Sequence, residues 1–221
     1  MARETEIKLR VEDAAVLHKK LKKLGARPVN SGRGRSHEMN VIFDTPQGGL
    51  AKHGQLLRIR METPEVRAKK NKGSAPRRVM LTFKRPAMSL EAAPSMEGRV
   101  VAGGRHKVRE EIEVEVSDAE NLTKIFEGLG MRGWFRYEKY RTTFKLPAAL
   151  RWAQGLLIEL DETPIGTFVE LEGPAEAIDR AAKELGYSPR DYVLKNYLAL
   201  YAEECRRNNE QPRDMVFAKP K

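Results

Sequence analysis

Apolar and charged residues alternate along most of this chain, most cleanly in Ile165-Gly166-Thr167-Phe168-Val169-Glu170-Leu171-Glu172-Gly173. A strand here puts Glu170 and Glu172 on one face and Val169 and Leu171 on the other. The same period predicts strands over about residues 3–11, 37–44, 56–61, 79–85, 109–116, 133–146 and 157–161, nearly all charged on one face and apolar on the other. Helical spacing takes over in four places. Asp13 caps a helix to Leu24, whose Val16, Leu17, Leu21 and Leu24 form one stripe before Gly25. Ser117-Asp118-Ala119-Glu120 reads as a capping box for a helix to Leu129, Pro174 opens one to Leu185 before Gly186, and Ser188-Pro189 opens the last, to about Arg206.

Between these elements lie a Gly/Ser/Arg loop from Asn30 to Ser36 and a turn, Asp44-Thr45-Pro46-Gln47-Gly48. Two polar insertions follow, a basic one over about 62–78 and an aperiodic one over about 86–108, and 208–221 reads as a tail after one domain spanning 1–207. The opening of the chain is echoed later. Glu4-x-Glu6, a helix and Leu24-Gly25-Ala26-Arg27 match Glu111-x-Glu113, a helix and Leu129-Gly130-Met131-Arg132, which points to an internal two-fold repeat.

The polar faces hold matched sets rather than assorted residues: acids at 4, 6, 111, 113, 159, 161, 170 and 172, and bases at 8, 58, 60, 84, 139 and 141. So many carboxylates facing one another repel unless a cation sits among them, and hard divalent ions such as Mg²⁺ or Mn²⁺ take oxygen ligands of this kind. The apolar faces need helices to cover them. Both demands are met by an α+β fold, a closed eight-stranded antiparallel β-barrel with a charged interior and helices packed outside. The bases inside would clamp an oligophosphate whose charge the metal helps neutralise. Glu4 and Glu6 alone, or Arg58 and Arg60 alone, would read as a solvated face; it is the repetition across strands that turns the balance.

Composition narrows the field. The chain has 221 residues, with 41 Lys+Arg against 31 Asp+Glu and a net charge of +10, a field that attracts polyanions. Aromatic residues interleaved with Lys/Arg are scarce, which disfavours nucleic acid as a partner. No apolar run has the length to span a bilayer, the N-terminus lacks a signal-peptide pattern, and one cysteine, Cys205, makes no internal disulfide, so the expected setting is the cytoplasm. His18, His37, His53 and His106 show no metal-ligand spacing and read as surface residues.

Glu4-x-Glu6-x-Lys8 resembles the ExExK signature of the CYTH family, the triphosphate tunnel metalloenzymes that include class IV adenylate cyclases, thiamine triphosphatases and inorganic triphosphatases. The likeness continues through Phe43-Asp44-Thr45, Leu57-Arg58-Ile59-Arg60, Thr82-Phe83-Lys84, Arg109 with Glu111 and Glu113, Lys139-Tyr140-Arg141, Leu160-Asp161 and Glu170-Leu171-Glu172-Gly173. It implies Glu4, Glu6 and Lys8 as the catalytic set, and Glu4, Glu6, Glu111, Glu113, Asp161, Glu170 and Glu172 as ligands of Mg²⁺ or Mn²⁺. It further implies Arg58, Arg60, Lys84, Arg109, Lys139, Arg141 and Lys195 as substrate-binding residues, Lys195 being the base on the last helix. Where family members often carry a tyrosine before Phe-Asp, this chain has Ile42, so that tyrosine's role is not carried over. The implied activity is metal-dependent hydrolysis of a triphosphate, with inorganic triphosphate, thiamine triphosphate and ATP as candidate partners. Cyclisation of ATP to cyclic AMP and pyrophosphate is the alternative, and a polyphosphate-binding module without turnover the second. A homodimer stays open.

Overall fold

The computed structural model describes residues 2–29, 34–65, 77–87 and 104–218. The strands are β1 Ala2–Val11, β2 Arg27–Pro28, β3 Arg35–Asp44, β4 Leu56–Pro64, β5 Arg78–Pro86, β6 Lys107–Glu115, β7 Arg132–Lys145, β8 Leu157–Thr163 and β9 Gly166–Glu172. Eight of them pair in the order β7-β3-β4-β5-β6-β1-β9-β8, and β8 pairs back onto β7. Every pairing is antiparallel, so the sheet closes without an edge, and β2 only adds two residues beside the end of β7. The order is unchanged when β1, β3, β4 and β5 are exchanged for β6, β7, β8 and β9, so the repeat expected from the sequence is a pseudo-two-fold axis of the barrel.

The helices α1 Ala14–Lys23, α2 Gly49–Lys52, α3 Ala119–Gly128, α4 Ala175–Glu184 and α5 Tyr197–Arg207 pack outside. Leu17 and Leu21 of α1 and Ile178, Ala181 and Ala182 of α4 cover the outer apolar face of β1, β8 and β9, where Ile7, Leu9, Ile158, Val169 and Leu171 are buried. Phe126 of α3 meets Phe43 edge-on, with centroids 5.1 Å apart, over β3, β4 and β5. A third cluster lies inside one end of the barrel: Ile42, Phe135 and Phe168 face inward there and Tyr197 and Leu200 of α5 pack on them. Glycine is required where β9 turns toward α4. Gly173 sits at φ 145°, and a Cβ there would lie 2.6 Å from the Gly155 carbonyl oxygen.

Several boundaries differ from the sequence reading. The cap of α3 is Asp118, which accepts from the Asn121 amide at 3.0 Å, so Ser117 and Glu120 form no capping box. The last helix does not begin at Ser188. That serine and Asp191 close a single 3-10 turn, Pro189–Asp191, after which Val193 pairs with Lys8 beyond the end of β6, and Asn196 caps α5. The Asp44 turn becomes α2 because Asp44 accepts from the amides of Leu50 and Ala51 at 2.8 and 2.9 Å. Both insertions are narrower than the sequence suggests: β4 runs to Pro64, β5 starts at Arg78, and β6 starts at Lys107. The rest of the basic loop (66–76), of the second insertion (88–103) and of the Asn30 loop (30–33), with 219–221, lie outside the described residues. Residues 208–218 are not a free tail. Met215 pairs with β7 and is buried, and Asp214 accepts from the Arg136 amide at 2.9 Å.

Candidate active site in the barrel interior

Strand alternation places the functional side chains. Four contiguous strands, β6, β1, β9 and β8, present Glu111, Glu113, Glu4, Glu6, Glu170, Glu172, Glu159 and Asp161 on one face. The opposite four, β7, β3, β4 and β5, present Lys139, Arg141, Arg58, Arg60 and Lys84. These side chains, Asp161 excepted, line a central cavity of about 250 Å³ together with Lys8, Lys107 and Arg109. Arg60, Arg141 and Glu159 also line a cavity of about 680 Å³ that continues to Arg77 and Arg78. At the other end Ile42, Leu56, Lys107 and Arg109 are shared with a more apolar space of about 750 Å³ bounded by Trp134, Leu194 and Leu198. The barrel interior is thus a tunnel with one mouth lined by arginines and carboxylates alike and one apolar mouth.

Acids and bases meet across this space. Lys84 reaches both oxygens of Glu4 at 2.7 Å and Glu111 at 3.1 Å. Glu6 takes Lys107 at 2.6 Å and Lys8 at 3.5 Å, and Lys8 also reaches Glu170 at 3.1 Å. Arg141 gathers Asp161 (2.7 and 2.6 Å), Glu170 (2.5 Å) and Glu159. Arg58 donates to Thr82 at 3.1 Å and to the Tyr137 hydroxyl at 3.0 Å, and Arg60 lies 3.2 Å from Glu62 and 3.5 Å from Glu113.

The electrostatics are uneven. Burial works to raise Glu6 and Glu170, but Lys107 and Lys8 outweigh it at Glu6, and Lys8 with Lys139 and Arg141 outweigh it at Glu170, so both stay ionised. Burial, with the charges of Glu159 and Glu4, pushes Glu172 up to about 8. Burial also raises Glu159, to about 7, against the pull of Arg141. Glu172 has no ion-pair partner among the described residues. Arg109 is lowered chiefly by burial, and its Nη2 donates to the Gly54 carbonyl at 3.1 Å.

Among the residues singled out from sequence, Glu4, Glu6, Lys8, Arg58, Arg60, Lys84, Arg109, Glu111, Glu113, Lys139, Arg141, Glu170 and Glu172 all line the central cavity. Two do not. Asp161 is 0% exposed, and its oxygens accept from Arg141, from Lys139 at 2.9 Å and from the Tyr197 hydroxyl at 2.7 Å, so it orients two bases from behind the cavity lining. Lys195 precedes α5, with its side chain 53% exposed and paired to Glu203, and borders the apolar mouth. His106 is not a free surface residue, since its Nε2 lies 2.9 Å from Asp179. Sequence reasoning passed over Glu38, Asn40, Lys107, Tyr137 and Tyr197. Glu38 and Asn40 share the inward face with Ile42, and Tyr137 shares one with Lys139 and Arg141, so alternation alone could have found them. Lys107 was hidden by the insertion assigned across it.

Among the described residues no three acidic side chains gather into a ready-made metal group; instead Glu4, Glu6 and Glu170 are drawn onto lysine and arginine. The donor set still suits a hard divalent cation. The acidic strands supply carboxylate oxygens, and burial, with neighbouring carboxylates, raises Glu172 and Glu159, a cost of ionisation that a bound cation would offset.

A CYTH domain matches residues 2–197. A curated relative from Methanocaldococcus jannaschii, provisionally named an adenylate cyclase, is 25% identical over 201 residues, which are 89% of this chain and 97% of its own. A solved Pyrococcus horikoshii protein superposes with a TM-score of 0.64 at 21% identity, over 91% of this chain and 99% of that one. A provisionally named adenylyl cyclase from Hippeastrum, described as having a dominant triphosphatase activity, superposes with a TM-score of 0.50 at 21% identity, over 95% and 97% of the two chains. With one domain taking in every strand of the tunnel, the chain belongs to the CYTH domain family.

Proposed function

We propose that this protein is a divalent-metal-dependent triphosphatase acting on inorganic or organic triphosphates. The observation that carries the reading is the uneven division of the tunnel, with eight carboxylates against Lys8, Lys107 and Arg109 on β6, β1, β9 and β8, and Arg58, Arg60, Lys84, Lys139 and Arg141 on the strands opposite. A triphosphate needs cations along its whole length, and Arg58, Arg60, Lys84, Lys139 and Arg141 supply them around a cavity of about 250 Å³. The dominant triphosphatase activity described for the Hippeastrum protein supports the same reaction.

In this reading Arg58, Arg60, Lys139 and Arg141 grip the phosphoryl oxygens and hold the chain in line, and Asp161 fixes Lys139 and Arg141 in place. Glu4, Glu6, Glu111, Glu113, Glu170 and Glu172 would hold Mg²⁺ or Mn²⁺, which when bound neutralises phosphate charge and polarises the phosphorus under attack. Lys8, between Glu6 and Glu170, passes from them to a phosphoryl oxygen as substrate enters. Water attacks phosphorus, the P–O bond to the leaving phosphate breaks, and a tunnel carboxylate accepts the water's proton. Lys195, outside the tunnel, would act only on a group held at the apolar mouth. We place the enzyme in the cytoplasm, supported by its lone cysteine; no helix of the described residues is long and apolar enough to cross a membrane.

The name of the Methanocaldococcus relative favours a second reading, cyclisation of ATP by its own ribose hydroxyl. Incubating the protein with inorganic triphosphate, thiamine triphosphate and ATP, each with Mg²⁺ or Mn²⁺, and separating the products decides between them. We expect orthophosphate from inorganic triphosphate to dominate. Cyclic AMP and pyrophosphate as the main products from ATP would establish the second reading instead, and binding without any product would leave a polyphosphate-binding module.

A further inference from the structure

We propose that Tyr137 is a substrate-contacting residue whose phenolic hydroxyl donates a hydrogen bond to a phosphoryl oxygen in the tunnel. The inference rests on the triphosphate reading above and adds to it a neutral donor among charged ones.

Tyr137 lies on the inward face of β7, one alternation before Lys139 and two before Arg141, and lines the central cavity while only 6% exposed. Its ring is fixed in direction. Phe135 stacks on it at 5.9 Å and Tyr197 flanks it at 6.3 Å. The hydroxyl oxygen accepts from Nη1 of Arg58 at 3.0 Å. A guanidinium only donates, so on that bond the phenol must be the acceptor and its own proton is left to point elsewhere.

The other buried hydroxyls around this space have spent their protons. Thr82 donates to Glu113 at 2.6 Å, Tyr197 to Asp161 at 2.7 Å and Thr143 to Glu159 at 3.3 Å. Of these four hydroxyls, only that of Tyr137 donates to no acceptor among the described residues. The charged groups that act on it most strongly are Arg58, Lys139 and Arg60, which are donors too, so an anion entering the cavity would supply the acceptor that the hydroxyl lacks. Asn40, opposite Tyr137 on β3, adds an independent sign. It is 0% exposed and both atoms of its amide lack a partner, as do Nε of Arg58 and Nε of Arg60. Oε2 of Glu38 makes no hydrogen bond there either, and of the six such buried atoms among the described residues only Nε of Arg109 lies away from the meeting of β3, β4 and β7. At Ile42, two residues from Asn40 on the same face, β3 offers no hydroxyl of its own. Burial would make the phenol a weaker acid, but Arg58 and Lys139 outweigh it and leave Tyr137 more acidic than an ordinary tyrosine, which strengthens it as a donor.

The test compares the parent, Tyr137→Phe and a protein carrying 3-fluorotyrosine at 137. Replacement by Phe keeps the ring contacts and removes only the hydroxyl. Inorganic triphosphate is the probe, with turnover in Mg²⁺ and with binding to the metal-free protein by calorimetry. We expect Tyr137→Phe to lose about 10- to 100-fold in kcat/KM, the range for a hydrogen bond to a charged acceptor. Its affinity for triphosphate weakens by the same factor while its unfolding midpoint falls only modestly, because Arg58 loses one acceptor, whereas the fluorotyrosine protein serves as the spectroscopic probe. The ¹⁹F resonance of the latter should move when triphosphate is added. Parent-like turnover and binding by Tyr137→Phe, or a ¹⁹F signal indifferent to triphosphate, overturns the proposal while leaving the triphosphatase reading intact. A parent that neither binds nor hydrolyses triphosphate brings down both.

Discussion

Glu38 is 1% exposed, with Lys139 at 3.5 Å and Arg60 and Arg141 each at 3.8 Å. Burial alone would raise its carboxyl; Lys139, Arg60 and Arg141 overcome that and hold it down to about 2. A carboxylate depressed in the folded state contributes stability that is present above its ordinary value near 4.5 and is lost as pH falls toward 2. Glu38→Gln should therefore cost about 3 kcal/mol at neutral pH, since it leaves three buried cations short of a partner. The gap between parent and variant in denaturant unfolding should close as pH drops from about 4.5 to about 2. A gap independent of pH would mean that Glu38 acts by shape alone. Such a residue also marks the limit of sequence reading. Alternation shows that Glu159 and Asp161 share a face, but the depth of each depends on what covers it. Glu159 reaches the cavity, whereas Asp161 is sealed under Tyr197, a residue of α5 whose position no local pattern discloses.

The strands were legible because their pairing makes the pattern they carry. Charges every second residue persist only where one face looks into polar space and the other into a core, and β1, β4, β8 and β9 meet that condition along most of their length. The α5 region was misread because Ser188-Pro189 is a sound helix start that serves only a 3-10 turn. The backbone of Val193 is claimed by Lys8 at 2.8 and 3.1 Å before a helix can form. Gly173 is a different case, since its place in the Glu-Leu-Glu-Gly stretch is a backbone requirement rather than a chemical one. Gly173→Ala should destabilise the protein by about 1–3 kcal/mol, because φ of 145° is strained for alanine and the added Cβ meets the Gly155 carbonyl. Thermal unfolding reads it, and a midpoint equal to the parent's would show that β9 can shift to make room.

At the scale of the whole molecule, a backbone with two-fold pseudosymmetry carries side chains that break that symmetry. The axis relates β4, with Arg58 and Arg60, to β8, with Glu159 and Asp161, and β5, with Lys84, to β9, with Glu170 and Glu172. Negative charge left over on one wall predicts that divalent ions stabilise the fold even without substrate. Mn²⁺ at about 100 times its dissociation constant should add about 2.7 kcal/mol, seen as a higher unfolding midpoint than in excess chelator. Glu172→Gln should shrink that increment without unfolding the apo protein. An equal midpoint with and without the ion would remove the metal from the acidic wall.

The closure of the barrel also bears on how the chain comes to exist. β1 leaves the ribosome before the other strands of the barrel, yet its neighbours are β6 and β9, which begin at residues 107 and 166. It therefore waits unpaired through most of synthesis, the interval in which a bare strand is open to pairing with the wrong chain. Glu4, Glu6 and Lys8 are what it shows on one face meanwhile, and charges on an unpaired strand deter such pairing. The residues that later line the tunnel thus first serve as guards against aggregation, and replacing them together with apolar side chains would endanger the nascent chain before it endangered the folded protein.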